Sequence, residues 1–74
     1  MMVKFATWAE VLAFVDGGGW LWYHAPFDAR PTSVRVVKRY KNGKLLLDAG
    51  SRDADAFRAD AGHLDRMRRN DPSK

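Results

Sequence analysis

The chain has 74 residues, of which 46% are hydrophobic, 12% aromatic and 30% charged, with a net charge of +4. That composition fits one small globular domain and excludes a disordered or collagen-like chain. The absence of cysteine excludes a disulfide scaffold and a thiolate zinc site, so the fold rests on its apolar core or on a partner chain.

Thr7 followed by Glu10 reads as a capping box opening a helix over about residues 8–16. Trp8, Val11, Leu12 and Val15 recur at helical spacing on its buried face, with Phe14 turned to a second surface. Gly17 is expected to be the left-handed residue that ends it, with Gly18 and Gly19 as slack. Trp20 to Ala25 reads as a strand, with Trp20, Trp22 and His24 on one face and Leu21, Tyr23 and Ala25 on the other. Residues 26–33 read as a loop.

Asn42-Gly43 marks a hairpin with a two-residue turn between strands 33–41 and 44–49. That turn sets Tyr40 opposite Leu45, Arg39 opposite Leu46, Lys38 opposite Leu47 and Val36 opposite Ala49. One face then carries Val34, Val36, Lys38, Tyr40, Leu45, Leu47 and Ala49 toward the core, with the Lys38 stem reaching out to water. The other carries Arg35, Val37, Arg39, Lys41, Lys44, Leu46 and Asp48. Residues 50–55 read as a polar turn. Beyond them a short strand, 56–59, and a helix from Ala61 to about Arg69 capped by Asp60 compete with a single helix over 53–69. Gly62 would weaken the long helix by ~1 kcal/mol, which favours the first arrangement. Residues 1–69 form the domain, and the polar residues 70–74 form a frayed tail.

The sum is an α+β fold: a small antiparallel meander, open or closed into an SH3-like barrel, with an N-terminal helix and a short C-terminal helix. No apolar run approaches the ~20 residues of a membrane span, and the N-terminus lacks the features of a secretory signal. A cytoplasmic protein without membrane contact is expected.

Charge is unevenly distributed. Residues 33–47 hold Arg35, Lys38, Arg39, Lys41 and Lys44 and no acid, whereas the rest of the chain is close to neutral. A two-stranded ribbon with cations on one face can follow a phosphate backbone. The same cations also serve as a solvated face that protects an exposed strand from pairing. Arg66, Arg68 and Arg69 either complement a helix dipole or extend a phosphate surface. Trp20, Trp22 and Tyr23, with Phe27 nearby, are candidates for base stacking or a protein interface, or simply for core packing. His24, Asp60, His63 and Asp65 have no recognised metal-ligand spacing. Ser33 and Ser51 have no nucleophile context, and Gly17–Gly19 runs from helix to strand, the reverse of a phosphate-cradling loop. No catalytic residue, metal or cofactor is expected.

The segments Trp22-Tyr23-His24-Ala25-Pro26 and Asp60-Ala61-Gly62-His63-Leu64-Asp65-Arg66 resemble small bacterial proteins of unknown function, some carried on mobile elements. The resemblance implies a small accessory protein acting on nucleic acid or on another protein, and it carries over no catalytic residue. The reading is therefore a nucleic-acid-binding module using Arg35, Lys38, Arg39, Lys41 and Lys44, extended by Arg66 and Arg69. Its rival is a protein-interaction module or homodimer without a nucleic-acid role.

Overall fold

The structure, a computed structural model, describes residues 1–48 and 56–72. Helix α1 spans Trp8–Asp16, and the Thr7 side chain accepts the Glu10 N–H at 3.2 Å. The Glu10 carboxylate reaches back to the Ala6 N–H at 2.9 Å rather than to Thr7. Val11 is fully buried, with Trp8, Leu12 and Val15 packed beside it, and Phe14 meets Phe5 edge-on at 5.4 Å. The helix ends in a Schellman motif: Gly18 N–H donates to Val15 O at 3.0 Å and Gly19 N–H to Phe14 O at 2.8 Å. The left-handed residue is Gly18 (φ +82°), not Gly17 (φ −83°), because Gly17 is the C-cap itself and a Schellman motif puts the left-handed residue just after it.

The described strands are β1 (Met2–Lys4), β2 (Trp22–Tyr23), β3 (Thr32–Ser33), β4 (Arg35–Arg39), β5 (Leu45–Asp48), β6 (Phe57–Ala59) and β7 (Met67–Asn70). They form two antiparallel sheets, in the orders β1-β7-β2-β3 and β4-β5-β6. Only the second is a meander. In the first, β7 lies between β1 and β2, so the two ends of the chain meet. The strand expected over 20–25 is reduced to two residues, and the loop over 26–33 ends in β3. At Val34 the chain passes from one sheet to the other, and the Val34 N–H donates to Leu21 O at 3.0 Å.

The core is Phe5, Val11, Leu21, Val34, Leu45, Leu47, Ala59 and Met67, lying between the sheets and α1. Tyr23 of one sheet meets Phe57 of the other at 5.0 Å. The Trp8 indole N–H donates to Gly43 O at 2.6 Å and ties α1 to the hairpin turn.

That turn differs from the expected one. Tyr40 N–H donates to Lys44 O at 2.9 Å and Gly43 N–H to Tyr40 O at 3.1 Å, so the loop has three residues, Lys41-Asn42-Gly43. Gly43 alone takes positive φ (+87°), and Asn42 uses its side-chain oxygen to accept the Lys44 N–H at 3.1 Å. This is a type I turn closed by a glycine bulge, in place of a type I′ turn that needs two positive φ angles. Ala49 and the turn at 50–55 lie outside the described residues.

The C-terminal region also departs from expectation. After β6, Asp60 caps as anticipated, accepting the Gly62 N–H at 2.9 Å, while its own N–H donates to His63 Nδ1 at 3.1 Å. The helix is a 3-10 helix, Ala61–Arg66, and the chain then extends into β7 instead of continuing to Arg69. Asn70 and Asp71, assigned to the tail by composition, hold the N-terminus. Met1 N donates to Asn70 Oδ1 at 3.0 Å, and Asp71 N–H donates to Met1 O at 2.8 Å. Ser73 and Lys74 lie outside the described residues. No helix among the described residues is long and apolar enough to cross a membrane.

Candidate nucleic-acid interface

Strand β4 changes phase midway. Arg35 pairs with Asp48 and Val36 with Leu47, but Lys38 pairs with Leu46 and Arg39 with Leu45. Val37, 47% exposed, is the extra residue of a β-bulge. Residues directly opposed on paired strands share a face. Leu45 and Leu47 are buried, so Val36 and Arg39 lie on the inner side and Arg35 and Lys38 on the outer side.

The extra residue in the turn changes the expected cationic face, and the bulge at Val37 then returns Val36 and Arg35 to the sides expected of them. Arg39 leaves it and turns to the C-terminal end of α1, where its Nε lies 2.7 Å from Asp16 Oδ1. Arg35 remains on the outer face and sits 3.4 Å from Asp48 Oδ2. Lys38, assigned to the core side by a two-residue turn, joins the outer face. It stands opposite Leu46, which stands opposite Arg58 on β6. Lys38 Nζ lies 5.1 Å and Arg58 Cζ 5.5 Å from the centre of the Tyr40 ring. Each cation is drawn to the ring's negative face. Neither meets a carboxylate among the described residues.

Lys41 and Lys44 are exposed at the turn end of the same sheet. Lys44 acts at a distance on Asp60, whose carboxyl is held below its ordinary value chiefly by the Gly62 N–H, then by His63 and Lys44. Arg58 is the residue that sequence reasoning missed. It falls outside the basic run and close to the acids Asp53, Asp55 and Asp60. The alternation Phe57-Arg58-Ala59 was the available signal, since a strand there must turn Arg58 away from the core.

Arg66, Arg68 and Arg69 do not extend this surface. Arg68 and Arg69 are on β7, in the other sheet, and alternation puts them on opposite faces. Arg69 Cζ lies 5.6 Å from the Phe5 ring, on the inner side. Arg68 stands opposite both Lys4 and Trp22 on the outer side. The aromatic candidates are dispersed as well. Trp20, 70% exposed, borders a largely apolar cleft of about 490 Å³ with Val15, Leu21, Val34, Val36 and Arg35. Trp22 is half-buried opposite Ser33, and Tyr23 packs inward on Phe57.

No group of three His, Asp or Glu side chains placed to hold a metal occurs among the described residues. The chain matches no protein-family model, no curated protein and no solved structure.

Proposed function

We propose that this protein binds nucleic acid through the outer face of β4-β5-β6. The observation that supports this is the Lys38–Tyr40–Arg58 cluster: two cations held over one ring, with no carboxylate partner among the described residues, on an exposed sheet face. A phosphate backbone laid across this face meets two cations that stand over one aromatic ring. Lys41 and Lys44 lengthen the track toward the turn, and Arg35, shared with Asp48, ends it. The contacts are with phosphates, so the reading implies little sequence preference. The same reading treats the two sheets as a small SH3-like barrel, with Val34 as the point where the chain changes sheets.

About four phosphate contacts give a slope of log affinity against log salt of roughly −3 to −4. Fluorescence anisotropy with labelled single-stranded DNA, duplex DNA and RNA tests this. Absence of saturable, salt-dependent binding to all three at low salt ends the proposal.

A second reading, a protein-interaction module or homodimer, draws on a different observation. Trp20 and Phe27 are 70% and 98% exposed, and Trp20 edges the apolar cleft. An exposed aromatic at the rim of an apolar cleft offers such a patch to a partner chain, and Trp20 is the one so placed. Sedimentation at several concentrations tests the homodimer, and a strict monomer excludes it.

A further inference from the structure

The outer face of the four-stranded sheet carries a second set of cations, and it differs from the first in having a cleft. Lys4, Arg68, Trp22 and Ser33 lie in one row across the sheet. His24 N–H donates to Arg66 O at 2.7 Å, which carries the β2–β7 pairing one step further. His24 continues the alternation of β2 onto the outer face of Trp22, and Arg66, the last residue of the 3-10 helix, lines the same cleft as Arg68. Where this face meets the 3-10 helix there is a cleft of about 320 Å³, lined by His24, Pro26, Gly62, Asp65, Arg66 and Arg68.

The polar groups in this cleft are partly fixed in advance. Arg68 Nη1 donates to the main-chain oxygens of Asp65 and, at 2.9 Å, Met67. Those bonds hold the guanidinium and leave the rest of its N–H groups available. His24 Nε2 lies 2.8 Å from Asp28 O, and a carbonyl can only accept, so Nε2 carries the proton. Nδ1 is then the ring atom left for a ligand. The Arg66 guanidinium has no partner among the described residues. Two arginines lining one cleft offer the fork-shaped N–H donors that suit the oxygens of a phosphate. Asp65 opposes a bare anion, but an ionised carboxylate accepts hydrogen bonds and so suits a hydroxyl next to that phosphate. The volume is at the small end of ligand pockets, roughly 300–1,000 Å³.

We infer that this cleft binds a phosphorylated sugar, with the phosphate on Arg66 and Arg68 and a sugar hydroxyl on Asp65. Trp22, opposite Arg68 on the same face, lies beside the cleft where an attached base can stack. The group has two sources, a free sugar phosphate or nucleotide and the 5′-phosphorylated end of a strand.

Nitrogen–proton NMR titration of the whole chain tests the site with ribose 5-phosphate, inorganic phosphate and ribose. Ribose 5-phosphate should produce saturable shifts at His24, Arg66 and Arg68 and bind more tightly than either of its parts. Arg66→Gln should weaken it ~10-fold or more, the expected loss for a charge-assisted hydrogen bond. Asp65→Ala should strengthen inorganic phosphate and abolish the preference for the sugar phosphate, a reversal that damage to the fold would not give. No saturable shift at millimolar ribose 5-phosphate, or shifts confined to the hairpin, overturns the inference. A 5′-phosphorylated oligonucleotide preferred over its 5′-hydroxyl form assigns the source to a strand end. Equal binding of the two, with ribose 5-phosphate still bound, assigns it to a free ligand. The outcome is separable from the hairpin reading: sugar phosphate bound without oligonucleotide binding upholds this site and removes that one, and the converse does the opposite.

Discussion

Neutralising Lys38 and Arg39 one at a time tests the register set by the three-residue turn as a determinant of function. The two cations are adjacent in sequence and so point to opposite faces, and the three-residue turn sets Lys38, not Arg39, on the outer one. Lys38→Gln removes a cation from the Tyr40 cluster and should reduce the magnitude of the salt slope by about 0.7–0.9, the value of one phosphate contact. Arg39→Gln should leave the slope unchanged, because Arg39 is engaged with Asp16 at 2.7 Å. Its effect should fall on stability instead. The two side chains are 36% and 52% exposed, so water screens the pair and its worth is at most about 1 kcal/mol. In a domain of this size that corresponds to a fall in Tm of at most about 4–8 °C. Anisotropy titrations at three or more salt concentrations, beside thermal melts followed by circular dichroism, read both effects. If Arg39→Gln flattens the slope as much as Lys38→Gln does, both cations meet phosphate and binding is not confined to the outer face of β4.

Other substitutions test the fold that presents this face. Trp8→Phe deprives Gly43 O of its donor and should cost about 1–2 kcal/mol, visible in a thermal melt; an unchanged melt means the helix–turn tie contributes nothing. Gly19→Ala would place a Cβ 2.4 Å from the Phe14 ring, so the ring must move, at a cost of about 1–3 kcal/mol in urea unfolding. Adding Phe14→Leu should recover part of that loss, and strictly additive effects would contradict the contact. The Asp60 carboxyl is depressed in the folded chain, so its contribution is present above its ordinary value near 3.8 and disappears as pH falls through the folded value. Asp60→Asn keeps the cap without the titration, so its melting temperature should fall less than the parent's below about pH 4. Parallel acid profiles for the two proteins would show that the cap has no such role.

Local chemistry was legible in the sequence. Thr7 and Glu10, the apolar stripe of α1 and the Asp60 cap each depend on residues within a few positions. The turn at Asn42-Gly43 was legible only in its location. One extra residue in the loop moves the register, and the choice between a two-residue and a three-residue turn rests on small differences in strand twist, here biased by Trp8 reaching Gly43 O from α1. A one-residue shift carries the side chains next to it to the opposite face, which is why Lys38 and Arg39 exchanged roles, until the bulge at Val37 restored Val36 and Arg35. Strand β1 was not legible. Its residues pair with residues 68–70 at the far end of the chain, so the pairing leaves no local period in either segment. The arginines at 66, 68 and 69 read as the end of a helix for the same reason: their spacing suits a helix, and only β1 and β2 on either side make β7 a strand.

The placement of β7 separates a folded binding surface from simple charge. A run of five cations without an acid attracts nucleic acid even in an unfolded chain, because counterion release does not require a fold. Strand β7 carries fully buried Met67 and is paired on both sides, so a chain ending at Arg66 keeps the whole hairpin sequence but strips β1 and β2 of their shared partner. That chain should give a collapsed, poorly dispersed amide NMR spectrum. If the Lys38–Tyr40–Arg58 arrangement carries binding, affinity should fall along with the dispersion, although Lys38, Tyr40, Lys41, Lys44 and Arg58 are all still present. If the shortened chain is unfolded yet binds with the same affinity and salt slope as the whole one, the hairpin acts as a charged segment and the ordered face adds nothing. The outer-face geometry would then describe how the cations are stored in the fold, not how they meet a ligand.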